Sequence, residues 1–297
     1  MKYLVTGGAG FIGGHLVDRL IKEGHEVVSI DNFSTGIKSN INPKAQFINL
    51  DISDRASRAD LCVAMEQVDT VFHCAALARV QPSIKNPQQY HKANVDGTLN
   101  VLLSARDSKV KRVVYSASSS AYGDQAKMPL TENMPTAPIS PYALHKLIGE
   151  QYCYVFSKCY GLETVSLRYF NVYGERQAVD GPYCTVVGIF LKQKSDGEKF
   201  TITNDGEQRR DFTYVDDVVD ANIKASTSEK VGKGEVINIG KGGNYSVNEI
   251  AEFIGGEKEF VGDRLEPKET LASTLKAKEL LGWEPKTDIK DWLTGDA

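Results

Sequence analysis

The chain has 297 residues, with 35 Lys plus Arg against 39 Asp plus Glu and a formal charge of −4. That length accommodates one large or two modest domains with a sizeable core, and the mildly acidic balance argues against a nucleic-acid surface. No run approaches the roughly 18 apolar residues of a membrane span; the five cysteines (Cys62, Cys74, Cys153, Cys159, Cys184) are scattered and the five histidines lack ligand spacing, which reads as a cytoplasmic protein with reduced thiols and no metal.

The first element is a short apolar strand, Tyr3–Val5, which leaves no room for a signal peptide. It runs into Thr6-Gly-Gly-Ala-Gly-Phe-Ile-Gly13, and an amphipathic stretch follows to Glu23. Strand, glycine turn and helix in that order let bare backbone N–H groups approach a pyrophosphate at the positive end of the helix. The glycines read as Gly8-x-Gly10-x-x-Gly13 or as Gly7-x-x-Gly10-x-x-Gly13. A second strand, Val27–Ile30, ends in Asp31, about 20 residues past the turn, where a carboxylate accepts from adenine-ribose hydroxyls and repels a 2′-phosphate. No Arg or Lys follows before Lys38, so the pattern points to NAD over NADP.

Further strands are expected at Gln46–Ile48, Thr70–Phe72, Arg112–Ser116 and Thr164–Leu167, with helices at Arg55–Glu66, Tyr90–Ser108 and Pro141–Cys159. Such alternation signals a doubly wound parallel α/β sheet of the Rossmann type. After about Asn171 the rhythm degrades into short polar segments, then helical Val215–Thr227 and a strand at Val236–Ile239. Ser246-Val-Asn-Glu249 has the form of a capping box, and Glu279-Leu-Leu-Gly282 that of a glycine-closed helix end. The expected division is an NAD-binding domain, 1–171 plus about 212–240, and a smaller α/β substrate-binding lobe, about 172–211 plus 241–297.

Within the Pro141 helix, Tyr142 and Lys146 are four apart and share a face. An ammonium beside a phenol favours the phenolate, as does a positive nicotinamide. Such a tyrosine can exchange a proton with a substrate hydroxyl while hydride leaves the same carbon. Upstream, Arg112-Val-Val-Tyr-Ser-Ala-Ser118-Ser119-Ser120 is a strand running into serines at the carboxyl end of a sheet, where ligands bind. One of these serines can hold the reacting oxygen; Ser119 and Ser120 more simply satisfy loop backbone.

With the glycine turn, Asp31-Asn32, Asp51-Ile52, His73-Cys-Ala-Ala76, Asn94-Val-Asp-Gly97, the serine strand, Tyr142 with Lys146, Leu167-Arg-Tyr-Phe-Asn171 and Arg210-Asp-Phe212 in view, the chain resembles an extended short-chain dehydrogenase/reductase of the nucleotide-sugar epimerase/dehydratase group. The resemblance implies NAD held by Gly7, Gly10, Phe11, Ile12 and Gly13 at the pyrophosphate, by Asp31 and Asn32 at the ribose, and by Asp51 and Ile52 at the adenine. Ala75, Asn94, Ser116, Tyr142, Lys146 and Phe170 line the remainder. It implies a catalytic set of Ser118, Tyr142 and Lys146. It also implies a nucleoside-diphosphate-sugar site with Asn171, Arg210 and a second arginine, Arg264, at the diphosphate, although Asp263-Arg-Leu-Glu-Pro267 departs from the usual Arg-Pro-Gly-Asp. Arg210 could instead pair with Asp211 or Asp216.

Relatives of this kind oxidise the sugar C4 hydroxyl to a 4-keto intermediate. Dehydratases then use an Asp-Glu pair where this chain has Ser119 and Ser120, so elimination is disfavoured and return of hydride to the opposite face is the expected course. The implied activity is a UDP-sugar 4-epimerase acting on UDP-hexose or UDP-N-acetylhexosamine. Thr270, small where some relatives carry a bulky tyrosine, would admit an N-acetyl group. Arg79 reads either as a contact for an anionic uronate or, as is ordinary for arginine, as a solvent-facing side chain. The alternatives are another nucleotide-sugar enzyme (uronate epimerase, dehydratase or decarboxylase), a net oxidoreductase, and a non-catalytic NAD-binding sensor. The resemblance further implies a homodimer formed through a four-helix bundle of Tyr90–Ser108 and Pro141–Cys159.

Overall fold

A computed structural model describes residues 1–181, 184–262 and 267–295. Seven strands, β1 (Lys2–Thr6), β2 (Glu26–Asp31), β3 (Gln46–Asn49), β4 (Thr70–His73), β5 (Arg112–Ser118), β6 (Glu163–Tyr169) and β7 (Lys233–Ile239), form one sheet in the order 7-6-5-4-1-2-3. Every neighbouring pair is parallel. Both faces are covered, and the sequence obeys the two-residue alternation this demands. Tyr3 and Val5 of β1 point into one core with Leu16, Val17 and Leu20 of helix α1 (Phe11–Lys22). Leu4 points the other way, into a core with Val101 and Leu102 of helix α2 (Gly97–Asp107) and Phe156 of helix α3 (Pro141–Tyr160). The direction of winding reverses between β1 and β4, which opens a crevice at their carboxyl ends.

Helix α3 begins where the sequence places it. Ser140 Oγ accepts from the Ala143 N–H at 3.2 Å, Pro141 occupies the first turn, and Gly161 closes the helix in the left-handed conformation. Two other helices differ from expectation. The Arg55–Glu66 segment is helical only over Arg58–Ala64, because Asp54 caps a separate 3₁₀ turn at Arg55–Ser57. The Tyr90–Ser108 segment starts earlier, at Pro87, and contains a π turn at Lys92–Asp96 before α2.

A third core gathers Phe190, Phe200, Ile202, Phe212, Ile250 and Ile254 beyond the crevice, with the Phe190 and Phe200 rings stacked at 4.8 Å. It backs a two-stranded piece in which Arg209–Asp211 runs antiparallel to Asn244–Ser246. There the expected capping box forms reciprocally: Ser246 Oγ accepts from the Glu249 N–H, and the Glu249 carboxylate accepts from the Ser246 N–H.

Candidate active site

Along the carboxyl ends of the strands runs a cleft of about 800 Å³. Its floor is the glycine turn. Gly7 has φ +73°, and a Cβ there would stand 2.8 Å from the Ala75 nitrogen; at Gly13 a Cβ would stand 2.1 Å from the Gly7 carbonyl oxygen. Only glycine lets these backbones close up. No side chain caps α1, whose cap residue is Gly10. The first-turn N–H groups therefore face the cleft as an anion cradle at the positive end of the helix. This cradle fits a dinucleotide pyrophosphate.

Asp31 lies at the end of β2, 8% exposed, and braces the turn: its carboxylate accepts from the Ala9 N–H at 3.1 Å and the Phe33 N–H at 2.8 Å. Asp51 stands nearby. Burial pushes its carboxyl up, but bonds from Ser53 Oγ (2.6 Å) and the Ser53 N–H (2.9 Å) outweigh that and hold it below the ordinary range. Asp51 is thus ready to accept a hydrogen bond from a hydroxyl or amine.

Gly7, Gly10, Phe11, Ile12, Gly13, Asp31, Asn32, Asp51, Ile52, Ala75, Ser116, Ser118, Tyr142, Lys146, Asn171, Arg210 and Thr270 all line this one cleft. Two expected cofactor residues do not. Asn94, on the π turn, turns inward: its side-chain oxygen accepts from the Leu77 N–H at 2.8 Å and its amide donates to the Leu77 carbonyl at 2.9 Å, so it shapes the loop that follows β4. Phe170 is fully buried with Tyr122, Leu130 and Ala272, because alternation along the chain sends its neighbours Tyr169 and Asn171 to the cleft instead. Arg264 lies outside the described residues.

The catalytic candidates converge. Ser118, at the end of β5, lines the cleft with Tyr142, whose phenol burial pushes up and Ser118 draws back. Ser118 Oγ accepts from Ser120 Oγ at 2.9 Å and from the Ser120 N–H at 3.2 Å. Lys146 Nζ donates to the Ser116 carbonyl at 2.7 Å and lies over the Tyr115 ring at 5.1 Å. Burial pulls the Lys146 ammonium down to about 8, with Cys74 and Glu150 opposing. Burial raises the Tyr142 phenol, while Ser118 and Arg79 draw it back.

Of the two readings of Arg79, its place in the cleft agrees with a contact for a ligand and not with a solvent-facing side chain. Its side chain is not solvent-facing but lines the cleft with Tyr142 and Cys184. The backbone at Arg79 turns through φ +83°. Arg210 donates to the Arg209 and Lys268 carbonyls, at 2.9 and 3.5 Å. Asp211 is committed elsewhere, accepting from the N–H groups of Lys241, Gly242 and Ala272 at 2.6–3.0 Å. The aspartate thereby ties the Arg210 strand to the segments on either side of it. Asn171 donates to the Asp211 carbonyl at 3.1 Å. Sequence reasoning missed the far wall, including Thr201, Thr203, Phe190 and Val261; these come together only through the third core. Among the described residues no cluster of His, Cys, Asp or Glu could hold a metal ion, and no helix is long and apolar enough to cross a membrane.

Comparison with known proteins agrees with this geometry. The model of the NAD dependent epimerase/dehydratase family matches residues 3–240. A UDP-glucose 4-epimerase of Lactobacillus helveticus is 36% identical over 316 residues, spanning 98% of this chain and 94% of its own length. The crystal structure of a Thermotoga maritima UDP-glucose 4-epimerase with UDP-glucose superposes with a TM-score of 0.93 at 39% identity, covering 99% of this chain and 96% of that one. A Methanobrevibacter ruminantium UDP-N-acetylglucosamine 4-epimerase, in complex with UDP-N-acetylmuramic acid, gives 0.92 at 36% identity with the same coverage. The chain belongs to the NAD dependent epimerase/dehydratase family, among its UDP-glucose 4-epimerase-like members, and is an isomerase that uses NAD.

Proposed function

We propose that the protein interconverts the C4 epimers of a UDP-hexose or UDP-N-acetylhexosamine through a 4-keto sugar. The observation that carries this reading is the Ser118–Tyr142–Lys146 arrangement beside an NAD cradle, with serines, not carboxylates, at positions 119 and 120. NAD bound in the cleft supplies the hydride acceptor and donor at C4. Tyr142 takes the C4 hydroxyl proton and later returns it; Ser118 holds the same oxygen; Lys146 lends the positive field that keeps the phenolate accessible. Asn171 and Arg210, with Arg264, are assigned to the diphosphate. With no acid–base pair after Ser118, nothing drives water out of the sugar, and the ketosugar is left to accept hydride on its other face. Thr270 is small and its Oγ1 accepts from the Asp211 N–H at 3.4 Å, so the pocket wall there leaves volume for an N-acetyl group.

The NAD cradle is assigned to residues 1–171 with about 212–240, and the sugar nucleotide to about 172–211 with 241–297. A homodimer is proposed through α2 and α3, paired with the same helices of a second copy as a four-helix bundle. Leu144 and Val155, 46% and 44% exposed and three turns apart on α3, support that face. Five free cysteines fit a reducing cytoplasm.

The test is to offer UDP-glucose and UDP-GlcNAc separately, without added cofactor, to wild type and Tyr142→Phe. The reading expects the C4 epimer from wild type. The variant should keep its NAD and lose roughly 10²–10⁴ in turnover. A variant within tenfold of wild type would remove Tyr142 from the proposed role.

A further inference from the structure

Ser118 ends β5 and at once caps the 3₁₀ turn Ser119–Tyr122. The far side of that turn is anchored. Ala121 and Tyr122 are fully buried, the Ala121 carbonyl accepts from the Ala137 N–H at 3.1 Å, and the Tyr122 hydroxyl donates to Asn238 Oδ1. Its near side, Ser119 and Ser120, lines the cleft with Ser118 and Tyr142. A capping serine ordinarily accepts from a backbone N–H alone. Ser118 Oγ accepts two bonds, both from Ser120: one from its N–H at 3.2 Å and one from its Oγ at 2.9 Å.

A hydroxyl carries two acceptor sites and one proton. Ser120 fills both acceptor sites of Ser118, so what Ser118 has left to offer is its proton. That makes Ser118 a donor to an oxygen beside it in the cleft, and not a relay that picks up a proton from the substrate. Hydrogen bonds in series polarise one another, so accepting from Ser120 also strengthens the Ser118 O–H as a donor. Ser120 therefore does more than satisfy loop backbone.

We propose that Ser120 is a positioning residue of the reaction, which holds Ser118 Oγ as a donor to the sugar C4 oxygen. This rests on the epimerase reading, in which Tyr142 takes the C4 hydroxyl proton as hydride leaves C4. The oxygen left behind is a carbonyl, with lone pairs and no proton, and Ser118 donates to it. When hydride returns to C4, Tyr142 gives its proton back to that oxygen, and Ser118 keeps its own throughout. A direct contact between Ser120 and the sugar, or a purely local role in the turn, would not act through Ser118.

The experiment is a double-mutant cycle on the NAD-loaded enzyme, with Ser118→Ala, Ser120→Ala and the two combined, together with Ser120→Thr. Both kcat and KM are measured with UDP-glucose and with UDP-GlcNAc, and NAD retention reports that each variant is folded. Ser120→Ala removes the hydroxyl bond and is expected to lower kcat by roughly threefold to tenfold at little-changed KM. Ser120→Thr keeps the hydroxyl and should restore most of kcat. Ser118→Ala should cost roughly 10²-fold. Adding Ser120→Ala to it should cost nothing further, because the residue it acts through is gone. An unchanged kcat in Ser120→Ala, or a loss that persists in full in the Ser118→Ala background, overturns the proposal while leaving the epimerase reading intact. An active Tyr142→Phe enzyme, or a wild type that forms no epimer, overturns that reading and this proposal with it.

Discussion

Glu150 lies one helical turn beyond Lys146 and receives two bonds from Arg168, Nε at 2.9 Å and Nη2 at 2.7 Å, with both side chains almost wholly buried. The guanidinium also lies 4.4 Å from the centre of the Tyr122 ring, whose hydroxyl donates to Asn238 Oδ1 at 2.7 Å. One ion pair thus joins α3 to β6 and, through Tyr122, to β7. It places a carboxylate where it partly offsets the desolvation of Lys146.

Breaking that pair should be felt in stability before chemistry. Glu150→Gln leaves Arg168 buried without its counter-charge, a loss of about 3–5 kcal/mol. Urea unfolding of the NAD-loaded protein measures it. A loss below about 1 kcal/mol would mean that water or relaxation compensates the arginine.

Cofactor choice follows from Asp31. Asp31→Ala removes both the brace on the Ala9 N–H and the group expected to repel a 2′-phosphate. Purified Asp31→Ala protein should retain less NAD, and its preference over NADP should narrow by roughly tenfold. Competitive binding of the two dinucleotides to stripped protein checks this. An unchanged preference would assign the choice to Asn32 and the loop beyond it.

Lys146 gives a pH prediction with a definite sign. Its folded proton affinity is lowered by burial to about 8, from 10.5. Below pH 8 the side chain is charged both folded and unfolded, and burying that charge opposes folding. As pH rises through 8 towards 10.5 the folded form sheds its proton while the unfolded chain holds it, so the penalty fades. In NAD-stripped protein, Lys146→Met should therefore be more stable than wild type by about 3 kcal/mol near pH 7, and the gap should close towards pH 10. A gap that is constant with pH would show that the lysine is not paying a charge penalty in the fold.

Much of the site was legible because its chemistry lies on contiguous residues. The turn from Thr6 to Gly13 carries its own geometric reason for each glycine, and Tyr142 and Lys146 are brought together by one helix that Ser140 and Pro141 announce. What was not legible depends on where the backbone departs from regular form. The π turn at Lys92–Asp96 carries Asn94, whose side chain bonds to the Leu77 backbone. Arg79, at a positive φ, lines the cleft, against the ordinary expectation of a solvent-facing arginine. Phe170, which the resemblance assigned to the cofactor, follows the end of β6 and packs with Tyr122, Leu130 and Ala272. The far wall is built from residues distant in sequence and joined by tertiary packing, which no local pattern encodes.

The central claim is that hydride leaves and returns to the same sugar carbon within one closed site. The most direct measurement is incubation of the NAD-loaded enzyme with a UDP-sugar carrying deuterium at C4, followed by analysis of the epimer by mass and proton NMR. The expected product is a C4 epimer that keeps its deuterium, with no added cofactor consumed. An epimer that has lost the label to solvent, or a dehydrated product in place of an epimer, would contradict it.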